Sequence, residues 1–268
     1  MTMSNTQPQN VQSATIDVSP PPALGDRSAP PALATVFAMV PLMLRSTATR
    51  GRLLALGALG LVGVVIAIIL RNAETSDDFT PIDFVARYGL TLLVPIVALV
   101  VASASFGNLI ERRTLVYLWL RPIRRWQIAA AAFIAGLVIV LPLVVIPTTA
   151  LAVILGDSDD IVGSLVASAA GAVAYGGLFT LLGLLTQRAL AWGLVFILVW
   201  EGFVAGLSRG AGQFALSTYT RSLLAQIADA STLVDRPYQV TTSLIVCGAV
   251  ALVAFALTSW RLSNMDVD

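Results

Sequence analysis

The sequence predicts an all-α integral membrane protein, and three observations lead to this fold class. Of its 268 residues, 57% are hydrophobic and 12% are charged, with a mean hydropathy of +0.86. A soluble domain carries about 25% charged residues, so this chain has too little polar surface for water. Apolar segments of about 20 residues, the length that crosses a bilayer, recur along the chain, and arginine is concentrated between them. We predict six transmembrane helices, at residues 53–70, 88–110, 128–155, 161–186, 190–207 and 241–260.

Two segments precede the first predicted span. Residues 1–34 contain six prolines among Ser, Thr, Gln and Asn and have no apolar run. This composition is typical of a disordered cytoplasmic tail and not of a secretory signal peptide. Residues 35–52 are apolar, too short to span, and end in three arginines. They predict an amphipathic helix at the cytoplasmic interface, with Phe37, Val40 and Leu44 facing the acyl chains.

The arginines predict which helix ends face the cytoplasm. If the spans alternate in direction, eleven of the sixteen arginines fall on one side and five on the other. The positive-inside rule places the richer side in the cytoplasm, and both termini lie on it. The eleven are Arg27, Arg45, Arg50, Arg52, Arg112, Arg113, Arg121, Arg124, Arg125, Arg188 and Arg261. The outer side carries Arg71, Arg87, Arg209, Arg221 and Arg236 and most of the acidic residues.

Small residues recur at every fourth position of the fourth span. Such a ridge lets another helix approach closely in lipid. Packing within the subunit and an interface between subunits are both compatible with it. The ridge consists of Ser164, Ser168, Ala172, Gly176 and Thr180.

Glu201 is the only acidic residue inside a predicted span. A charge at that depth costs at least ~2.5–3.5 kcal/mol, so the carboxylate needs a partner, a proton or a water-filled cavity. It is either a proton relay or substrate contact, or a carboxyl that ties the fifth helix to a neighbour or caps the external segment. In that segment, residues 208–240, Leu223, Leu224 and Ile227 have the spacing of a short, partly buried helix.

Residues 111–127, ERRTLVYLWLRPIRRWQ, hold five arginines between the second and third spans. The residue before a proline is disfavoured in a helix, whereas proline suits the first turn of a new one. Arg121-Pro122 therefore predicts a stiff elbow between two helices. A loop that only fixes the orientation of the two spans in the membrane would explain the arginines. The embedded LVYLWL and the proline break indicate, in addition, a short helix that docks onto a cytoplasmic partner.

Missing residue types exclude several functions. The chain has no lysine and no histidine, and Cys247 is its only cysteine. A His- or Cys-based zinc site, a Ser-His-Asp triad and a disulfide are excluded within one chain, so we predict no catalytic residue and no metal site. A Walker A loop requires a lysine, so another chain must bind any ATP that drives this protein. The net charge of +1 gives no indication of nucleic-acid binding.

The segment from 111 to 125 resembles that of ABC-2 type ABC transporter permeases, which have a Glu, a Thr-Leu, a Tyr-Leu or Leu-Leu and an Arg-Pro-x-x-Arg in this order. The matching residues are Glu111, Thr114, Leu115, Tyr117, Leu118, Arg121, Pro122 and Arg125. Trp200-Glu201-Gly202 and the long segment before the last span are also similar, so the resemblance covers about residues 35–268. Arg113 stands where the family often has glycine, and the basic residue that follows the hinge in the family, commonly a lysine, is an alanine here.

The resemblance implies a type V exporter-like fold: an interfacial helix, six spans, a cytoplasmic coupling helix and short external helices before the last span. It implies two permeases, either two copies or this chain and a related one, in contact with the lipids of a bacterial plasma membrane. Each would sit on an ABC ATPase that binds ATP and Mg²⁺. The residues implied in ATPase coupling are Glu111, Arg112, Arg113, Thr114, Tyr117, Arg121, Pro122, Arg124 and Arg125.

Three other functions compete with this one. A proton-coupled secondary transporter would use Glu201, although no second acid or histidine accompanies it in the spans. A membrane enzyme acting on lipid would need a nucleophile–base pair or a metal cluster, and the sequence suggests neither. An anchoring protein gives no reason for the elbow at Arg121-Pro122.

Overall fold

The computed structural model describes residues 32–72, 80–111, 125–204, 212–230, 233–234 and 237–264. Within these ranges the chain is helical and has no strand. The first 31 residues of the predicted tail and residues 112–124 of the predicted elbow lie outside the described ranges.

Eight helices follow one another in the described part of the chain. α1 spans Ala32–Thr47 and α2 spans Arg50–Asn72. α3 is continuous and combines a helical turn, Pro81–Phe84, a π-helical segment, Val85–Leu93, and an α-helix, Val94–Glu111. α4 spans Arg125–Leu155 and α5 spans Ser158–Leu185. α6 combines Ala189–Val195 with the π-helical segment Phe196–Val204. α7 spans Leu216–Ile227 and α8 spans Val240–Ser263.

Five of these helices, α2, α3, α4, α5 and α8, are long and apolar enough to cross a membrane. Four of them contain a predicted span, and α5 covers the predicted span 161–186 except for its last residue. α3 begins seven residues before its predicted start. The prediction missed these first turns because Asp83 and Arg87 lower the local hydropathy there. The remaining predicted span, residues 190–207, corresponds to α6, which is described as far as Val204. Its crossing of the membrane stays a prediction.

α5 lies at the centre of the described fold, where α3, α4, α7 and α8 all pack against it. Its glycines make this possible, because a missing side chain lets a neighbouring backbone come close. Gly183 lies directly against the backbone of Ser103 in α3. At Gly177, a Cβ atom would come within 3.0 Å of the Cα of Ala251 in α8.

α1 packs against the first turns of α4 through Met39, Val40 and Met43. The expectation that Val40 faces the acyl chains is therefore wrong: its side chain is 9% exposed. Residues three and four apart share one face of a helix, and this face is covered by the alanine-rich start of α4. Phe37 lies elsewhere on the helix and is 63% exposed, while Leu44 is half-buried between two clusters of buried apolar side chains.

The packing at Gly183 gives a stability prediction. Gly183→Ala places a methyl group on the carbonyl oxygen of Ser103, so α3 and α5 must separate. Overpacking of this kind costs about 1–3 kcal/mol, and we expect a lower midpoint of thermal unfolding in detergent.

Gly57→Ala in α2 is the matched control, because nothing lies within 4 Å of the added methyl group. Alanine is the better helix former by about 1 kcal/mol, so this variant should be as stable as the parent or more so. Equal destabilisation by both substitutions would contradict the close approach of α3 and α5.

Candidate functional site

The residues predicted to couple to an ATPase lie at the junction of α3 and α4. Glu111 is the last residue of α3 and Arg125 is the first residue of α4. The others lie outside the described residues; they are Arg112, Arg113, Thr114, Tyr117, Arg121, Pro122 and Arg124.

Arg125 is engaged within the chain. One guanidinium nitrogen, Nη1, donates to the carbonyl oxygens of Leu262 at 2.7 Å and Ser263 at 3.0 Å, in the last turn of α8. The last four carbonyls of a helix have no partner within it, and a cation there is favoured by the helix dipole. Arg125 therefore caps α8 and ties its end to the start of α4, a contact that the sequence pattern did not predict.

The ridge of small residues on α5 is buried within the chain. Ser164, Ser168 and Ala172 are fully buried and Thr180 nearly so. The Thr180 hydroxyl donates to the carbonyl of Gly176 at 2.6 Å. Leu137 of α4 lies 3.3 Å from the position of a Cβ atom at Gly176. In the described structure these residues pack α5 against helices of the same chain.

Glu201 reaches from α6 to the N-terminus of α7. Its side chain is 6% exposed, Oε1 accepts the backbone N–H of Leu216 at 3.1 Å, and Oε2 accepts that of Ser217 at 3.1 Å. The first N–H groups of a helix lack partners within it. The residue that precedes α7, Ala215, has no polar side chain to supply one. Glu201 is thus a helix cap delivered from another helix.

This arrangement compensates for burying the charge of Glu201. Hydrogen bonds to a charged group contribute about 1.5–3 kcal/mol each, and a negative charge is favoured at the N-terminus of a helix. Two such bonds offset the ~2.5–3.5 kcal/mol that an acid costs within a membrane. Beside it, the indole Nε1 of Trp200 donates to the carbonyl of Phe214 at 3.4 Å.

Tyr175 of α5 is a member of this site that the sequence analysis missed. Its side chain is fully buried and stacks on Phe179, with ring centroids 5.9 Å apart. The hydroxyl faces the Glu201 carboxylate and the backbone of Ser217, but it forms no regular hydrogen bond with any of the described residues. A buried tyrosine usually finds a polar partner for its hydroxyl, so a tyrosine in a span of small residues was the available signal.

α7 is the helix expected from Leu223, Leu224 and Ile227, and it begins at Leu216, seven residues before Leu223. Leu223 and Leu224 are fully buried. Arg221 adds a polar anchor, because its Nη2 donates to the carbonyl of Leu233 at 2.9 Å. α7 is therefore held along its length as well as at its N-terminus.

The surroundings of Arg221 are electrostatically mixed. Partial burial lowers the pKa of Arg221, and the guanidinium of Arg87 in α3 lowers it further. The carboxylate of Asp83 acts in the opposite direction. Asp83 also accepts a hydrogen bond from the Thr80 hydroxyl at 2.7 Å. The middle of α7 thus lies near charged groups of α3.

Comparison with known proteins gives one family. A family model described as ABC-2 family transporter protein matches residues 48–208, about three fifths of the chain. The match runs from the start of α2 to just beyond α6 and includes the junction of α3 and α4. No curated protein matches the chain.

The contact between Arg125 and α8 predicts a stability effect. Arg125→Met keeps most of the length of the side chain but removes both hydrogen bonds to the last turn of α8. Because a charged donor is lost, we expect unfolding to become easier by about 1–3 kcal/mol. We also expect faster amide exchange at the end of α8.

Arg261→Met is the control for Arg125→Met, because Arg261 is an exposed cation in the last turn of the same helix. Its loss should change stability by no more than about 0.5 kcal/mol. If both substitutions had the same effect, the total charge near the helix end, and not the two bonds from Arg125, would be the stabilising factor.

Proposed function

The chain belongs to the ABC-2 family of transporter membrane proteins, and from this membership we propose that it is the permease subunit of an ATP-driven ABC exporter. Such a subunit forms the path across the membrane, while separate ATPase subunits bind and hydrolyse nucleotide. The match over residues 48–208 carries the proposal, because this range contains the predicted elbow and five of the six predicted spans.

In this proposal ATP and Mg²⁺ bind to partner ATPases. A Walker A loop uses a lysine to hold the phosphates, and this sequence contains no lysine. That composition supports a separate ATPase polypeptide. Two permeases pair to form the pathway, either two copies of this chain or this chain and a related one.

We infer six crossings, with both termini in the cytoplasm of a bacterial plasma membrane. The bond from Arg125, at the start of α4, to Leu262, near the end of α8, supports this count. If only α4, α5 and α8 crossed between these two residues, they would lie on opposite sides of the membrane. With α6 as a fourth crossing they lie on the same side, as the bond requires. The excess of arginine favours the cytoplasm for that side.

The coupling path begins at the predicted elbow between Glu111 and Arg125. α4 is a continuous helix of 31 residues that packs against α1, α2, α3 and α5. A long packed helix can carry a displacement at its start to the rest of the subunit. ATP closes the ATPase dimer, the elbow moves with it, and the paired permeases exchange inward-open and outward-open arrangements. The permease is the two-state element and the nucleotide shifts its equilibrium.

The alternative, a proton-coupled secondary transporter, would require Glu201 to exchange protons with water during transport. The side chain is 6% exposed, and each of its oxygens accepts a backbone N–H of α7. These contacts favour a link between helices over a relay. The two functions also differ in their need for the ATPase, which the following experiment uses.

Charge reversal at the elbow tests the coupling. Arg121→Glu with Arg124→Glu should leave membrane insertion intact and reduce co-purification of the partner ABC ATPase by about tenfold, equivalent to ~1.4 kcal/mol. The physical reason is that glutamates in place of these arginines would repel an acidic surface of the partner. Arg125 stays unchanged because it caps α8.

Arg71→Glu is the control, since Arg71 is an exposed arginine in the last turn of α2, at the predicted outer end. It should leave ATPase binding unchanged. An undiminished complex with the elbow variant would count against docking there. Concentrative transport by the permease in proteoliposomes without any ATPase would instead favour the proton-coupled alternative, and Glu201→Gln should then abolish it.

A further inference from the structure

The π-helical segment of α6 is attached to the described fold by a narrow stripe. Between residues 193 and 203 only Gly193, Ile197 and Glu201 are buried, at intervals of four. The side chains on the flanks are exposed, Leu198 at 63% and Phe203 at 65%. This segment therefore has fewer contacts within the chain to lose when it shifts than α5 has.

The segment Phe196–Val204 is π-helical, which is an uncommon backbone geometry. π-helical hydrogen bonds join residues five apart and occur as local features that are frequent at functional sites. Glu201 lies within this segment and bonds it to α7. α7 itself is firmly seated, because Leu223 and Leu224 are fully buried. The carboxylate therefore joins a lightly held helix to a firmly held one.

A second partner for the carboxylate lies within reach. The Tyr175 hydroxyl interacts with the Glu201 carboxylate and lies near the backbone of Ser217. Among the described residues it has no hydrogen-bond partner, which is unfavourable for a buried hydroxyl. A small displacement of the carboxylate would let it accept the Tyr175 O–H and would release N–H groups of α7.

We propose that Glu201 is a two-position latch between α6 and α7. In the position seen here it accepts the N–H groups of Leu216 and Ser217, and in the second position it accepts the Tyr175 hydroxyl. Only hydrogen bonds are exchanged, and neither position leaves the buried carboxylate unpaired. Its role in transport rests on the proposed function. In that role Glu201 is a positioning residue, which sets where α6 lies relative to α7 as the permease changes between its inward-open and outward-open arrangements.

Amide hydrogen exchange tests the latch in the chain alone, in lipid nanodiscs and without ATPase. Tyr175→Phe removes the second position, so the α7 cap is occupied for longer and exchange at Leu216 and Ser217 should slow by about threefold. Glu201→Ala removes the cap, and exchange there should accelerate by about tenfold. Tyr175→Phe deletes a hydroxyl that has no partner among the described residues, so the variant should still fold.

Two control variants make the same chemical changes elsewhere. Tyr88→Phe removes the hydroxyl that donates to the carbonyl of Leu59. Asp160→Ala removes a carboxylate that caps only its own helix, where it accepts the N–H of Asp157 at 2.9 Å. Neither should alter exchange at the start of α7. Exchange at Leu216 and Ser217 that is unchanged or faster in Tyr175→Phe would overturn the latch.

Reconstitution with the ATPase tests the role of the latch in transport. Tyr175→Phe should bind the ATPase and melt like the parent chain, yet transport should fall severalfold because α6 stays fixed to α7. Slower exchange with undiminished transport would overturn the positioning role. If the parent chain binds no ATPase, the proposed function fails instead, and the exchange experiment still decides whether the latch exists.

Discussion

The close approach of neighbouring helices to α5 is the constraint on which the described structure depends. Lipid tails are as apolar as leucine, so helices in a membrane associate through shape complementarity and not through a hydrophobic driving force between them. Gly183 and Gly177 allow α3 and α8 to approach to backbone contact, and α4 and α7 complete the set around the same helix. Larger side chains at these positions would separate the helices that hold every other feature in place.

Polar side chains act chiefly at helix ends, for a reason that belongs to the same environment. A backbone N–H or C=O without a partner is costly where no water is available, and helix termini carry several such groups. Arg125 satisfies carbonyls at the end of α8, and Glu201 satisfies N–H groups at the start of α7. Because each side chain comes from a different helix, each cap is also a connection between helices.

The described helices differ in how much of their surface packs against the rest of the chain. We call α4 and α5 the frame. α4 and α5 are long, continuous and packed on several neighbours, whereas the π-helical segment of α6 is held along one narrow stripe. In the proposed transport cycle the elbow before Arg125 moves with the ATPase. The latch at Glu201 would then respond at the other membrane surface. The frame lies between them, and its stiffness is what would let the two ends communicate.

The sequence by itself determined the features that repeat locally. Runs of apolar residues predicted the positions of the five long apolar helices, and the spacing of Leu223, Leu224 and Ile227 predicted α7. The direction inferred from arginine stays a prediction. The tertiary structure alone decided which groups meet. No local pattern indicates that Arg125 caps α8 or that α4 covers Val40. For Glu201 the sequence left a cap on the external segment as one alternative, and the structure places that cap on α7, beside Tyr175. Hydropathy and helical period describe one helix at a time, whereas a partner is chosen by how close two distant backbones come. That distance depends on the glycines of α5 acting together with all of their neighbours.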